Sequence, residues 1–264
     1  MSGPERAGGP AVDDAGPPEA APRHRRRWRR RVALAAALAA GVIVAGVVVL
    51  WVVTPSGVDL QAQVATLAAR EHATVLRPGD VPPLLAEAIV AGGDERFYQH
   101  HGIDVIGLGR AFLYDGTHRC ACQGGSTITQ QLVKDVYLGG SDGGLAKLAD
   151  LALAFKVELR FTKQEILADY LSVVPTGYGR YGMVNAACAD FHRPLDALDL
   201  GEVAVLAGMP QAPSVYDPLL HPDLARARRS IVLEAMVEDG YATPQQAGSA
   251  AAEPVTLPSA MGGC

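Results

Sequence analysis

Apolar residues recur along most of this chain at helical spacing, and the exception is a run that carries no polar face at all. From Val32 to Val53 there are 22 residues without a charge, almost all of them Val, Ala, Leu, Ile or Gly. That exceeds the roughly 20 residues a single helix needs to cross a bilayer. Beyond it, Pro82 and Pro83 suit the first turn of a helix, and Leu84, Leu85, Ile89 and Val90 follow on one face. Asp150 to Lys156, with Leu151, Leu153, Ala154 and Phe155, and Lys163 to Leu171 repeat the pattern. Leu198 to Met209 and Ala225 to Val237 give two further amphipathic segments. No run of alternating β-branched residues intervenes, so the periodicity predicts an all-α, or mainly α, domain behind one transmembrane helix.

Composition divides the chain at the apolar run. Residues 1–22 are Pro, Gly, Ala and acidic residues without periodicity, which predicts disorder. Seven arginines between Arg23 and Arg31 follow, and Trp28 and Trp51 flank the apolar run as interfacial anchors do. A cleaved signal peptide is the competing reading, but its apolar region is normally about 7–15 residues, so a retained anchor is expected. The arginines place the N-terminus in the cytoplasm and everything after Thr54 outside, as a single-pass protein of the cytoplasmic membrane. The whole chain carries a net charge of −5, and removing residues 1–54 leaves about −9. The arginine run therefore says nothing about the exported surface, and nucleic acid is excluded as a partner.

All four cysteines, Cys120, Cys122, Cys188 and Cys264, fall on the exported side, where disulfides persist. Cys120 and Cys122 are too close in sequence for easy ring closure, so either one reaches Cys188 or stays free. With His118 they lack a second ligand pair at zinc-site spacing, which makes a metal centre there a weak reading.

The most informative stretch is GGSTITQQLVK, Gly124 to Lys134. Gly124 and Gly125 let backbone approach a bulky ligand. Ser126, Thr127, Thr129, Gln130 and Gln131 supply hydrogen-bonding groups for sugar or phosphate oxygens, and Lys134 lies one turn beyond Gln130. A plainer reading makes the same string a glycine-led helix start capped by Ser126 or Thr127. Upstream stands DERFYQHHGID, Asp94 to Asp104; downstream come FTKQEILADYL from Phe161, YGRYGMVNAA from Tyr178 and LGEVAVLAGMPQAPSVYDP from Leu200.

In this order the motifs resemble those of the family 51 glycosyltransferases, the peptidoglycan polymerases that occur alone or as the first domain of penicillin-binding proteins. The resemblance covers roughly Val75 to Ala250. It implies a lysozyme-like glycosyltransferase domain at 75–250, after a disordered Arg-rich cytoplasmic tail at 1–31, a transmembrane helix at 32–53 and a juxtamembrane connection at 54–74, with a flexible tail at 251–264. A smaller membrane-facing lobe would hold Ile106, Leu108, Phe112, Leu113 and Tyr114, either as an interfacial patch or as core. No Ser-x-x-Lys, Ser-Asp-Asn or Lys-Thr-Gly set follows, so the resemblance is to the monofunctional form.

The resemblance also implies the chemistry. A growing glycan on polyprenyl pyrophosphate is the donor and lipid II the acceptor. A Glu takes the proton of the acceptor 4-hydroxyl, which attacks the anomeric carbon with inversion, while Lys, Arg and a divalent metal, Mg or Mn, neutralise the leaving pyrophosphate. Partners would be lipid II, polyprenyl-pyrophosphate-linked glycan, the membrane and other cell-wall synthesis proteins. The implied substrate-binding residues are Gly125, Ser126, Thr127, Thr129, Gln130, Gln131, Lys134 and Lys147, with Gln130, Gln131 and Lys134 lining one cleft with Asp94 and Asp150.

Three positions depart from the family pattern. Asp94, Phe97, His100 and Gly102 match the first motif, but the general-base position is Gly93. Where the family has Arg-Lys and then Glu, this chain has Ala146, Lys147 and Asp150, the last being the expected metal ligand. On a continuing helix Glu95 would lie roughly 200° from position 93 and face away from the cleft, with Asp94 about 100° off. Gly92 and Gly93, each costing about 1 kcal/mol relative to Ala in a helix, offer a way for the segment to unwind and turn Asp94 or Glu95 inward. Two function classes follow: a membrane-anchored polymerase whose activity is weak or lost, or an inactive paralogue that binds lipid-linked glycan or cell-wall partners.

Overall fold

The computed structural model describes residues 23–110, 125–141 and 143–254, with side chains described from Trp28 onward. Cys120, Cys122, Cys264, His118, Phe112, Leu113 and Tyr114 lie outside the described residues. Two compact units are present, residues 1–49 and 50–264. The first is the body of α1 (Arg23–Val53), whose stretch from Trp28 to Val53 is long and apolar enough to cross a membrane. This helix begins at Arg23, so the arginine run is helical rather than part of a disordered tail. Arginine is a good helix former, and once the apolar stretch has nucleated, each added residue gains a hydrogen bond.

The second unit is built from α2 (Leu60–Arg70), α3 (Pro83–Gly93), α4 (Ile128–Tyr137), α5 (Gly144–Glu158), α6 (Lys163–Val173), α7 (Met183–Phe191), α8 (Leu200–Gly208), α9 (Pro222–Glu238) and α10 (Pro244–Ala252). Residues 105–110 are also helical. Among the described residues there is no strand, only one antiparallel bridge between Pro175 and Tyr181. The expected α class therefore holds. The 54–74 segment is more than a connection, because Leu60, Val64, Leu67 and Ala68 of α2 are buried in the common core.

Local sequence explains the helix starts. Thr127, Thr162, Asp199 and Thr243 each stand as N-cap with Gln or Glu three residues on, and each pair forms a reciprocal capping box. One half of the core packs α3, α8 and α9 together; the other packs α4 against α5 and α6. Between α8 and α9, a Cβ on Gly208 would come within 2.7 Å of the Arg228 side chain. The glycine lets that side chain cross to α3, where Arg228 Nη2 donates to the Gly92 carbonyl at 2.8 Å. The end of α3, the part of the fold that matters most for the cleft, is thus pinned from behind.

Cys188 is disulfide-bonded. Ile106 and Leu108, left open between patch and core by the sequence, are exposed.

Near α7 an Arg180 guanidinium meets two fully buried carboxylates, Asp190 at 3.0 Å and Asp217 at 3.2 Å. Asp217 also accepts from the backbone N–H of Leu219, whereas neither oxygen of Asp190 has a well-aligned hydrogen bond. Burial therefore dominates at Asp190 and pushes its carboxyl up to about 7, with Arg180 opposing and Asp217 adding. Burial, helped by Glu165, likewise raises Asp169 to about 6. Both groups hold a proton more tightly folded than unfolded, so their contribution to stability falls as pH rises from the ordinary Asp value through these raised values. Replacing Asp190 with Asn should shrink the difference in unfolding temperature between pH 5 and pH 8; an unchanged difference would show that Asp190 does not titrate in this range.

Candidate functional site

The cleft forms where α3 runs out. Gly93 is its last residue, and Asp94, at φ −157° and ψ 67°, takes the chain out of the helix into a turn closed by Phe97 N–H donating to Asp94 O. Gly93, Asp94 and Glu95 make one wall; Gly125, Ser126 and Thr127 make the facing wall; Asp104, Gly107, Leu108 and Arg110 complete the rim. Because the helix stops at Gly93, the helical rotation expected for Glu95 does not apply. Glu95 faces the cleft.

Asp94 is buried and fully engaged. Both of its oxygens lie 3.0 Å from His100 Nε2, and Oδ2 also accepts the Ile128 N–H at 2.9 Å. That N–H belongs to the first turn of α4, where a carboxylate complements unsatisfied donors and the helix dipole. His100, one of the residues that match the first motif, is the buried partner that orients Asp94.

On the facing wall Thr127 caps α4, as the plainer reading has it, and its hydroxyl also donates to Gly102 O at 2.7 Å. Gly102 sits at φ +86°, and a Cβ there would come within 2.8 Å of the Ala154 backbone, so only glycine fits. Much of the polar string is directed inward. Thr129 donates to Glu158 at 2.6 Å, Gln131 accepts from the Tyr170 hydroxyl at 2.9 Å, and Gln130 Nε2 donates to Asp150 Oδ1 at 3.0 Å. Lys147 bridges the two groups, 2.8 Å from Ser126 Oγ and 3.0 Å from Asp150 Oδ2. The fold thus joins Ser126, Gln130, Lys147 and Asp150 directly, and reaches Asp94 through the first turn of α4. Of the residues expected to share one cleft, Asp94 lines it, whereas Gln130, Gln131, Lys134 and Asp150 are not among the described lining residues.

Sequence reasoning missed Glu158, Asp104 and Arg110. Glu158 accepts from Thr129 and from Lys163, whose ammonium lies 4.4 Å from the centre of the Phe97 ring. Burial draws Lys163 below the usual lysine range, with Glu158 opposing. Nothing in spacing or composition distinguishes Glu158 from a surface residue, because its importance depends on a partner 29 positions away.

Asp150 does not fit a divalent ion. Its two oxygens are occupied by an amide and an ammonium, and among the described residues no group of three or more His, Cys, Asp or Glu is placed to hold a metal. Lys147, three residues before Asp150 on α5, is its helical neighbour and pairs with it.

A family model described as Transglycosylase matches residues 60–237. The chain belongs to the transglycosylase family. Penicillin-binding protein 1A of Escherichia coli (strain K12) is 43% identical over 169 residues, 63% of this chain and 20% of that protein. Penicillin-binding protein 1A of Streptococcus pneumoniae is 43% identical over 180 residues, 67% of this chain and 25% of that protein. Penicillin-binding protein 1F of Bacillus subtilis is 39% identical over 171 residues, 65% and 24%. The chain therefore spans about a fifth to a quarter of these relatives. A crystal structure of penicillin-binding protein 1A from Haemophilus influenzae aligns with a TM-score of 0.42 at 22% identity, over 70% of this chain and 18% of that one. The transglycosylase match begins at α2, in agreement with the burial of that helix.

The two glycines at the end of α3 differ in surroundings. A Cβ on Gly92 would meet Val232 at 3.0 Å, whereas one on Gly93 meets nothing within 4 Å. Gly93→Ala should stabilise the protein by about 0.4–1 kcal/mol, and Gly92→Ala should give no such gain. Denaturant unfolding of the two variants checks this; an equal gain from both would mean that α3 and α9 are less tightly packed than described.

Proposed function

We propose that this protein is a membrane-anchored peptidoglycan glycosyltransferase that polymerises lipid II slowly on the outer face of the cytoplasmic membrane. The observation that carries this reading is the cleft itself: the end of α3 and the Ser126–Thr127 helix start face each other, with Lys147 behind Ser126. The arginine run before an apolar helix supports an N-terminus in the cytoplasm and the domain outside.

In this reading Lys147 and the Ser126 hydroxyl receive the donor pyrophosphate, since they present positive charge and a donor to developing negative charge. Lys134 adds positive charge from α4. The acceptor 4-hydroxyl enters beside Gly93 and Glu95. Leaving-group stabilisation is weaker than the family pattern provides, because Ala146 contributes nothing and Lys147 is partly neutralised by Asp150.

Gly93 together with the Lys147–Asp150 closure favours a second reading, a paralogue that binds lipid-linked glycan without polymerising it. Purified full-length protein in detergent, given fluorescent lipid II, separates the two. The first reading expects saturable binding and short glycan strands. Binding without product, in the wild type and in Gly93→Glu alike, would establish the second; absence of binding would remove both.

A further inference from the structure

Three carboxylates line the cleft, and they differ in how much of each is committed to the fold. Asp94 has both oxygens on His100 and a third contact to the α4 backbone, with 4% of its side chain exposed. Asp104 pairs with Arg96 at 3.3 Å, accepts the Ile106 N–H at 3.1 Å and is 11% exposed. Glu95 pairs with Arg110 Nη1, 2.6 Å from Oε2, has the Asp239 carboxylate nearby, and keeps 41% of its side chain open to solvent. Its Oε1 faces no partner among the described residues.

Position strengthens the distinction. Glu95 stands two residues from the emptied general-base site, in a turn that the early end of α3 creates, and lines the same cleft as Gly93. A Cβ on Gly93 would meet nothing within 4 Å, so the position itself is open beside the cleft. A proton acceptor must reach its substrate, and of the three only Glu95 combines exposure with a flexible two-methylene stem.

We propose that Glu95 is the proton acceptor of this chain, replacing the carboxylate missing at position 93; the inference rests on the glycosyltransferase reading above. Glu95 takes the proton of the acceptor 4-hydroxyl as that oxygen bonds to the donor anomeric carbon. The bond from that carbon to the pyrophosphate oxygen breaks, and the leaving pyrophosphate keeps the electron pair. Arg110 is a positioning residue, holding Oε2 so that Oε1 faces the acceptor.

The test measures lipid II polymerisation and lipid II binding for full-length wild type, Glu95→Gln, Gly93→Glu and the double variant. Glu95→Gln should lower turnover about 10²- to 10⁴-fold and leave binding within about two-fold, as expected when an interaction made only in the transition state is removed. Gly93→Glu should raise turnover, and in that background Glu95→Gln should change it little, because the restored carboxylate takes the proton. Wild-type turnover retained in Glu95→Gln would overturn the assignment. So would an inactive wild type beside an active Gly93→Glu, an outcome that leaves the glycosyltransferase site intact. Absence of lipid II binding in all four proteins would instead remove the functional reading on which the assignment rests.

Discussion

One buried carboxylate organises the cleft. Asp94 ends α3, draws His100 in from six residues on and accepts the first-turn N–H of α4 from 34 residues on, so three segments meet on two oxygen atoms. Hydrogen bonds of this kind, with a charged acceptor, contribute about 1.5–3 kcal/mol. Thr127 and Gly102 complete the junction, because Thr127 can cap α4 and reach the Gly102 carbonyl only where a residue without Cβ lies against Ala154. Arg228 supports the same point from α9 through the Gly92 carbonyl. The position of the cleft follows from where α3 stops.

That stop also redistributes chemical roles. A buried carboxylate with both oxygens engaged is a structural element, and one on a solvent-facing turn is available for chemistry. The Lys147–Asp150 pair shows the converse: an ammonium and a carboxylate three residues apart on α5 are committed to each other in an internal salt bridge. Lys147 also donates to Ser126, so Asp150 is linked to the facing wall through one side chain.

Helices with a strong apolar stripe were legible in the sequence, α3, α5, α6, α8 and α9 among them, and so was the apolar stretch of α1. Three were not. α2 lies in the 54–74 segment assigned to a juxtamembrane connection, and α7 and α10 are nine residues each, rich in alanine, with too little contrast between faces to mark a stripe. The GGSTITQQLVK string was recognised as special, yet which side chains face the cleft depends on long-range partners: Glu158 for Thr129, Tyr170 for Gln131 and Asp150 for Gln130. The orientation of Glu95 was left between two alternatives for a local reason. Extending α3 by two residues rotates that side chain away, and helix ends are where pattern carries least information.

The central claim is a division of labour in which Asp94 holds the fold and Glu95 does not. Unfolding free energies of full-length Asp94→Asn and Glu95→Gln, from denaturant titration in detergent micelles, test it directly. Asp94→Asn should lose about 1–3 kcal/mol, since the charge that binds His100 and α4 is gone, while Glu95→Gln should stay within about 0.5 kcal/mol of wild type. A neutral Asp94→Asn, or a Glu95→Gln that is equally destabilised, would contradict the account.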